Sequence, residues 1–313
     1  MHAPVALIIF NRPDTTEKVF AQIAKAKPEK LFLIADGPRA DHPDDVEKCK
    51  AARAVIERVD WDCKVFKNYS EVNLGCGRRP ATGISWVFEN VEEAIILEDD
   101  CVPSQTFFQY CEELLKRFRD DERIMMISGM DIDYGQEKWP YSYSFHLLPH
   151  TWGWATWRRA WQHFDIGVKL WPELRDSSWL LDIAENPGAA QYYKSRFDLA
   201  FNSGSNIDYW DYQWQFACWS QKGYSISPHK NLIVNTGFGE HATHTKDKKY
   251  HKKFANFSVE EMDFPLKHPP FLVVDRAAHL LRFKARFPEK EMRISWYTSL
   301  YNKIRLILRK LWE

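Results

Sequence analysis

The stretch Ala94-Ile95-Ile96-Leu97-Glu98-Asp99-Asp100 decides how this sequence is interpreted, because four apolar residues run directly into three carboxylates. Such an apolar run is typical of a strand that is buried on both faces, as in a parallel sheet. Acids placed just after the strand lie where open α/β sheets bind their ligands. A divalent cation with oxygen ligands would offset their repulsion and bridge to phosphates, whereas a solvated acidic turn is the alternative.

Strands and helices alternate in the sequence that precedes this stretch. Apolar runs predict strands over Val5 to Phe10, over Leu31 to Ala35 and, more briefly, near Lys64 to Lys67, with helical stripes between them. Residues 73 to 80 are rich in Gly and Arg and are predicted to form a loop. The alternation predicts an α/β fold with a mostly parallel central sheet and flanking helices.

The regular alternation fades after about residue 130, where Trp, Tyr, Gly and Pro become frequent. We therefore predict a nucleotide-sugar half over residues 1–130 and an irregular, Trp-rich acceptor-side half of the same domain over residues 131–290. Residues 291–313 combine apolar residues at helical spacing with Arg and Lys, which predicts a basic amphipathic helix. Such a helix suits contact with anionic lipid and a lipid-linked acceptor, while packing on the body or an oligomer contact is the alternative.

Composition argues against some functions. Lys plus Arg and Asp plus Glu both number 43, so no overall basic charge favours nucleic acid. The six cysteines lack metal-type spacing and are predicted to be reduced thiols, which indicates a cytosolic protein. No run approaches the roughly 18 apolar residues of a membrane span, so contact with the inner face of a membrane would be peripheral.

Polar groups follow the other predicted strands at the same edge of the sheet. Arg12 follows the first strand, Asp36 and Gly37 follow the second, and Arg78 lies in the Gly/Arg loop. A carboxylate can accept hydrogen bonds from a base or ribose, and a guanidinium can pair with phosphate. Their convergence predicts a site for a nucleoside diphosphate held with a metal. Neither a phosphate-binding loop ending in Gly-Lys nor a dinucleotide fingerprint is present.

This order of motifs resembles the nucleotide-sugar domain of GT-A glycosyltransferases. The pattern is similar to that of N-acetylglucosaminyltransferase I and its relatives, and of bacterial family-2-like transferases that build surface polysaccharides. The resemblance also includes Gly153-Trp154-Ala155 and Trp210-Asp211-Tyr212-Gln213-Trp214. It covers roughly residues 3 to 245 as dispersed short motifs. It implies a GT-A, or nucleotide-diphospho-sugar transferase, fold.

The resemblance also implies roles for individual residues. Asp100 would bind Mn²⁺ or Mg²⁺, and Asp211 would be the general base, although Tyr212 replaces a second acid expected there and leaves Asp208 as an alternative. Independently of the resemblance, His244, or else His241, in the Gly- and His-containing stretch 237–245 is a candidate metal ligand, because imidazole suits Mn²⁺-type sites, whereas a surface loop with solvated His is the alternative. The donor-binding set would comprise Phe10, Arg12, Asp36, Gly37, Arg78, Glu98 and Asp99.

Tryptophans are predicted to contact the acceptor. Trp154, Trp157 and Trp161 are spaced to share one helical face, which favours core packing for most of them. Trp154 beside Gly153, with Trp152 as the alternative, and Trp210 are predicted to contact a saccharide, because aromatic faces stack on sugar rings.

The sequence therefore predicts a metal-dependent inverting glycosyltransferase that uses a nucleotide-sugar donor, in the first instance a UDP-sugar. The alternatives are a sugar-phosphate nucleotidyltransferase and a non-catalytic carbohydrate-binding protein.

Overall fold

The computed structural model describes residues 1–131, 140–184, 186–237 and 258–274. An eight-stranded sheet with the order β3-β2-β1-β4-β8-β6-β9-β7 runs through these residues, and β10 pairs with β5 in a small second sheet. The strands are β1 (Val5–Ile9), β2 (Lys30–Ala35), β3 (Lys64–Tyr69), β4 (Glu93–Glu98), β5 (Cys101–Pro103), β6 (Ile124–Ser128), β7 (Tyr143–His146), β8 (Trp154–Trp157), β9 (Tyr224–Pro228) and β10 (Ile233–Asn235).

Helices cover both faces of the large sheet. They are α1 (Pro13–Ala26), α2 (Asp45–Ile56), α3 (Gly75–Asn90), α4 (Gln105–Arg117), α5 (Arg158–Trp161), α6 (Trp171–Leu174), α7 (Trp179–Ala184), α8 (Pro187–Ser203) and α9 (Asp211–Ser220). The predicted α/β class with a mostly parallel central sheet and flanking helices is confirmed.

The parallel part of the sheet is β3-β2-β1-β4. In its register Ile8 lies between Ile34 and Glu98. Strands β1 and β2 are almost wholly buried, because helices pack on both of their faces. Their carboxyl ends therefore meet at one edge, and the residues that follow β1, β2 and β4 lie side by side there.

Strand β8 corrects the predicted Trp helix. It runs antiparallel between β4 and β6, with Ile96 opposite Trp154 and Glu93 opposite Trp157. In a strand, residues three apart point to opposite faces, so Trp154 and Trp157 pack in different core layers. The prediction of one shared helical face was wrong for these two residues, because sheet pairing decided the local structure. The prediction of core packing is confirmed for Trp157 and Trp161, which are both buried.

Helix α3 corrects the predicted Gly/Arg loop, because it begins at Gly75 and continues through Pro80. Residue 77 must lack a side chain, because a Cβ at Gly77 would lie 2.1 Å from the carbonyl oxygen of Ile207. The backbone before α9 thus packs directly on the first turn of α3.

Residues from the predicted acceptor-side half contribute β7, β8 and β9 to the same sheet. Helices α6 to α9 add an aromatic layer of their own, built around Trp171, Tyr193, Phe197, Phe216 and Trp219. The predicted helix over residues 291–313 lies outside the described residues. Of the helices in the described part of the chain, none is long and apolar enough to cross a membrane. None of the six cysteines, all of which lie in the described ranges, forms a disulfide bond, as predicted.

Candidate functional site

Two acids of the Glu98-Asp99-Asp100 triplet form ion pairs with the guanidinium of Arg12. Glu98 ends β4, and Asp99 accepts a hydrogen bond of 3.0 Å from the backbone N–H of Phe10. Arg12 pairs through one terminal nitrogen with Asp99 at 2.7 Å and through the other with Asp100 at 2.9 Å. The residues after β1 and β4 are therefore joined by a fork of two ion pairs, as their convergence on one edge predicts.

Among the residues that the structure describes, carboxylates outnumber the cations that act on Glu98 at this edge. Burial first, and then the carboxylates of Asp100, Asp99 and Asp211, together raise the pKa of Glu98 to about 8 against the opposing effect of Arg12. Burial likewise raises the pKa of Asp99 to about 6, despite Arg12. Within the described part of the chain, three aspartates thus act on Glu98 and Arg12 opposes them, so a further cation would stabilise the ionised carboxylates.

Hydrogen bonds from strand β10 and from the residues after it hold Asp100 in position. Asn235 donates its side-chain N–H to Asp100 Oδ1 at 3.2 Å, and the backbone N–H of Thr236 donates to the Asp100 carbonyl at 2.7 Å. The backbone N–H of Gly237 donates to Asn235 Oδ1 at 2.7 Å. Asn235 is a positioning residue that sequence reasoning missed, since only the antiparallel pairing of β10 with β5 brings it to the triplet.

Gly237→Ala is expected to weaken nucleotide binding about tenfold or more. A Cβ at this position would lie 2.1 Å from Asp100 Oδ2 and 2.7 Å from Arg12 Nη1, so the ion pair between them must open. Tenfold corresponds to about 1.4 kcal/mol, within the usual cost of forced overpacking. Isothermal titration with UDP and Mn²⁺ measures the effect.

The matched control is Gly167→Ala, whose new Cβ would meet nothing closer than Asp165 Oδ1 at 3.7 Å. Equal UDP affinities for the Gly237 and Gly167 variants would contradict the positioning of Asp100 by this segment.

A cavity of about 250 Å³ lies beside the triplet. It is lined by Ile8, Ile9, Phe10, Arg12, Asp36, Arg39, Asn73, Gly75, Cys76, Arg79, Pro80, Glu98, Asp99 and Asp208. Phe10, Arg12, Asp36, Glu98 and Asp99 of the predicted donor-binding set thus share one cavity, and their roles in donor binding stay predictions.

Asp36 anchors the loop before α3. Its two carboxylate oxygens accept hydrogen bonds of 2.9 to 3.1 Å from the backbone N–H groups of Gly37, Leu74 and Gly75 and from the side chain of Asn73. Burial nevertheless raises its pKa. These bonds use most of the acceptor capacity of a carboxylate. Asp36 therefore fixes the position of residues 73–75 in the cavity wall, in addition to lining the cavity itself. Gly37 is required where the chain passes Val72, whose backbone would lie 2.5 Å from an added Cβ.

Arg79 rather than Arg78 reaches the cavity. Arg78 is exposed on α3 and does not line the cavity, whereas Arg79 is buried, lines it and donates to the Asn68 side chain at 2.9 Å. The prediction placed the wrong member of the pair at the cavity, because it assumed a loop. In a helix, adjacent residues point in directions about 100° apart.

Asp45 is a second positioning residue that sequence reasoning missed. It is buried at the start of α2 and accepts from Arg39 Nε at 2.6 Å, from Arg39 Nη2 at 3.0 Å and from the Asn11 side chain at 2.6 Å. The Arg39 guanidinium also lies 5.5 Å from the centre of the Phe10 ring. Asp45 therefore ties the segment after β1 to the segment after β2.

Asp45→Asn is expected to lower the free energy of unfolding at pH 7 by about 2 kcal/mol. Hydrogen bonds from Arg39, with a further one from Asn11, lower the pKa of Asp45 from 3.8 to about 2 against the effect of burial. A carboxylate with a lowered folded-state pKa contributes stability above its unfolded pKa, and that contribution is lost as pH falls towards 2.

The stability difference between wild type and Asp45→Asn should therefore shrink below about pH 4, as urea unfolding at several pH values would show. Asp44→Asn, one residue away on an exposed side chain, serves as the control and is expected to change little. A difference for Asp45→Asn that stays constant from pH 7 to pH 3 would contradict the ion-pair explanation.

Asp208 and Asp211 lie on the same side of the site but in different settings. Asp208 lines the cavity and accepts a hydrogen bond of 2.8 Å from the thiol of Cys76, whose pKa burial raises to about 12. Asp211 is the half-exposed first residue of α9, and its charge acts on Glu98. The choice of base between them stays a prediction in favour of Asp211.

The two predicted acceptor tryptophans are core residues. Trp154 is 0% exposed and Trp210 is 4% exposed, and their rings stack on each other at 5.7 Å. Rings without an accessible face cannot stack on a saccharide, so the prediction of acceptor contact was wrong for both. They pack instead beneath elements that carry site residues. Trp154 lies on β8, which pairs with β4, and Trp210 directly precedes Asp211.

The chemistry of the carboxylates fits a divalent cation, because Mg²⁺ and Mn²⁺ prefer hard oxygen donors. Across the described ranges, no group of three or more His, Cys, Asp or Glu residues is arranged to hold a metal ion. A cation at Asp100 would thus need phosphate or water oxygens to complete its coordination, which is usual for Mg²⁺. His241 and His244 lie outside the described residues.

No protein-family model and no curated protein matches the chain. Solved structures with similarity to it include an apo UDP-glucose pyrophosphorylase, with 9% identity, 81% of this chain and 100% of that chain covered, and a TM-score of 0.40. A UDP-glucose pyrophosphorylase from Acinetobacter baumannii has 10% identity, coverage of 75% and 88%, and a TM-score of 0.36. A 4-diphosphocytidyl-2C-methyl-D-erythritol synthase from Anaerococcus prevotii has 9% identity, coverage of 52% and 74%, and a TM-score of 0.32.

Proposed function

We propose that this chain is a metal-dependent inverting glycosyltransferase that transfers a sugar from a nucleotide-sugar donor, in the first instance a UDP-sugar, to a saccharide acceptor. The observation that carries the proposal is the meeting of Glu98, Asp99, Asp100 and Asp211 at one sheet edge with Arg12 beside them. Action in the cytoplasm on surface polysaccharide, with a lipid-linked acceptor, is part of the proposal.

The charge balance supports a donor diphosphate held with a metal. One guanidinium is shared between Asp99 and Asp100, while burial and the carboxylates of Asp100, Asp99 and Asp211 keep the pKa of Glu98 raised to about 8 despite Arg12. A Mn²⁺ or Mg²⁺ ion at Asp100 would supply charge neutralisation of the leaving diphosphate. Arg12, at 29% side-chain exposure, keeps an accessible edge towards the cavity that can meet phosphate oxygens.

The remaining roles follow from position. The half-exposed carboxylate of Asp211 would accept the proton of an acceptor hydroxyl as that oxygen attacks the anomeric carbon. A single displacement at this carbon inverts its configuration. Phe10 and the Asp36 loop would hold the nucleoside in the cavity, since both line it.

Sugar-phosphate nucleotidyl transfer is the second candidate function. The observation in its favour is that three arginines, Arg12, Arg39 and Arg79, line the cavity, and a nucleoside triphosphate carries more charge than a diphosphate. Arg12 and Arg39 are already paired with carboxylates, however, and Arg79 is bound to Asn68. The segment after β1, Asn11-Arg12-Pro13, is also not the Gly-rich basic loop that such enzymes usually carry. Global similarity at TM-scores of 0.32 to 0.40 does not choose between the two reactions.

The deciding experiment measures two products side by side. Incubation with a panel of UDP-sugars and Mn²⁺ should release UDP, which supports glycosyl transfer to water or to an added saccharide. Release of pyrophosphate from UTP and a sugar 1-phosphate, without UDP release from UDP-sugars, would replace the proposal with nucleotidyl transfer. If no Mn²⁺-dependent nucleotide binding is measured, the result would contradict both enzymatic functions and favour the non-catalytic carbohydrate-binding protein.

A further inference from the structure

Three tyrosines and one arginine form a group beside the candidate base that the roles above do not use. We call Tyr192, Arg196, Tyr209 and Tyr212 the Tyr-Arg cluster. The Arg196 guanidinium carbon lies 4.9 Å from the centre of the Tyr192 ring and 5.3 Å from that of Tyr212. Tyr192 and Arg196 lie on α8, Tyr209 lies just before α9 and Tyr212 lies on α9, and each of the four is half-exposed.

The cluster is ordered by its own contacts. The hydroxyls of Tyr192 and Tyr212 are hydrogen-bonded to each other, and the Tyr209 hydroxyl donates to the Arg196 carbonyl at 3.0 Å. The Tyr209 and Tyr212 rings meet edge to face, with centroids 5.1 Å apart. The guanidinium is thus confined between aromatic faces, a setting in which cation–π attraction orients it without neutralising its charge.

In the described part of the chain, no Asp or Glu forms an ion pair with Arg196. The acid two residues along α8, Asp198, pairs instead with Lys194 at 3.5 Å and accepts from the Trp171 indole at 2.8 Å. A half-exposed arginine with a fixed orientation and no carboxylate partner presents its fork of N–H donors for an incoming oxyanion.

The location connects this charge with the candidate active site. The segment over residues 207–212 supplies Asp208 to the cavity wall, Asp211 to the acidic group, and two tyrosines to the cluster. The same segment packs on the first turn of α3, as the close approach of Ile207 to Gly77 shows. The charge of Asp211 acts on Tyr209 as well as on Glu98. A molecule that places a hydroxyl at Asp211 therefore has the Tyr-Arg cluster beside it.

We infer that the Tyr-Arg cluster binds an anionic group of the acceptor, so that the acceptor is an acidic saccharide bearing a carboxylate or a phosphate. The tyrosine faces stack on the sugar ring and Arg196 pairs with the oxyanion. The assignment of the ligand as an acceptor rests on the proposed glycosyl transfer. The anion site itself does not, because it depends on the cluster alone.

The test measures saccharide binding by ligand-observed NMR with three probes: methyl glucoside, methyl glucuronide and methyl glucoside 6-phosphate. The acidic probes should bind about 10- to 100-fold more tightly than the neutral one, the usual range for a hydrogen-bonded ion pair. The stronger of the two acidic probes identifies the carboxylate or the phosphate as the group recognised.

Arg196→Gln should remove the preference for acidic probes, and Arg196→Lys should restore part of it. Lys194→Gln removes the same charge two residues earlier on α8, about 200° around the helix, and should keep the preference. Thermal unfolding and UDP affinity of each variant verify that the fold is retained. A merely structural role for Arg196 would lower the melting temperature without changing the ratio of acidic to neutral affinity.

Three results would overturn the inference: equal binding of neutral and acidic probes, binding of none of them, or a preference that survives Arg196→Gln. Failure of the proposed function gives a different outcome. In that case the acidic preference depends on Arg196, yet no UDP is released from any UDP-sugar.

Discussion

Asp211→Asn is expected to retain nucleotide binding and to lose sugar transfer by two to four orders of magnitude, the usual worth of a general base. The substitution keeps the shape of the side chain and removes only its ability to take a proton. Asp211 sits at the start of α9, outside the residues that line the nucleotide cavity, so UDP affinity should change little. Steady-state kinetics with a saturating UDP-sugar, together with calorimetry on UDP, would separate the two effects.

Asp208→Asn is the informative comparison, because Asp208 lines the cavity three residues earlier and is bound to the Cys76 thiol. It is expected to weaken nucleotide binding more than Asp211→Asn does and to reduce turnover less. The reverse ranking, with Asp211→Asn active and Asp208→Asn inactive, would move the base to Asp208.

Asp100→Asn is expected to weaken Mn²⁺-dependent UDP binding by at least about 100-fold, the upper end of losses measured for residues that only support metal ligands. The substitution removes the carboxylate that Arg12 and Asn235 hold at the edge of the sheet. UDP binding without added metal should fall much less, because the cavity residues remain in place. Calorimetry with and without Mn²⁺ gives both values.

Two controls keep this result interpretable. Asn235→Ala keeps the Asp100 carboxylate but removes the hydrogen bond that orients it. Mn²⁺-dependent UDP binding is then expected to weaken by an intermediate factor of about 10 to 100. Asp44→Asn makes the same chemical change on an exposed side chain and should bind as wild type does. Equal Mn²⁺ dependence in wild type and Asp100→Asn would remove Asp100 from the proposed metal site.

The sequence predicted the parallel half of the fold well because that half is dominated by local pattern. The apolar runs that became β1, β2 and β4 are buried on both faces, so hydrophobicity alone marks them. Polar residues that directly follow such strands must meet at one edge, which is why Phe10, Arg12, Asp36, Glu98 and Asp99 line one cavity.

The errors occurred where distant segments decided the outcome. Helical spacing of Trp154 and Trp157 was overridden by pairing with β4 and β6, which no pattern within residues 154–157 encodes. Arg79 replaced Arg78 at the cavity because the glycines before them begin a helix under the segment that contains Ile207. The tryptophans expected at the acceptor became core because Trp154 and Trp210 pack with other tryptophans in one buried cluster.

By itself the sequence determined where carboxylates follow buried strands, since that is a property of consecutive residues. Tertiary structure alone decided what holds the Glu98-Asp99-Asp100 triplet and what surrounds it. Arg12 neutralises two of its acids, Asn235 arrives through the antiparallel pairing of β10 with β5, and α9 brings Asp211 to Glu98. The physical reason is that burial and charge interaction depend on distance in space, and these partners lie 87 to 135 residues away in sequence from the acids on which they act.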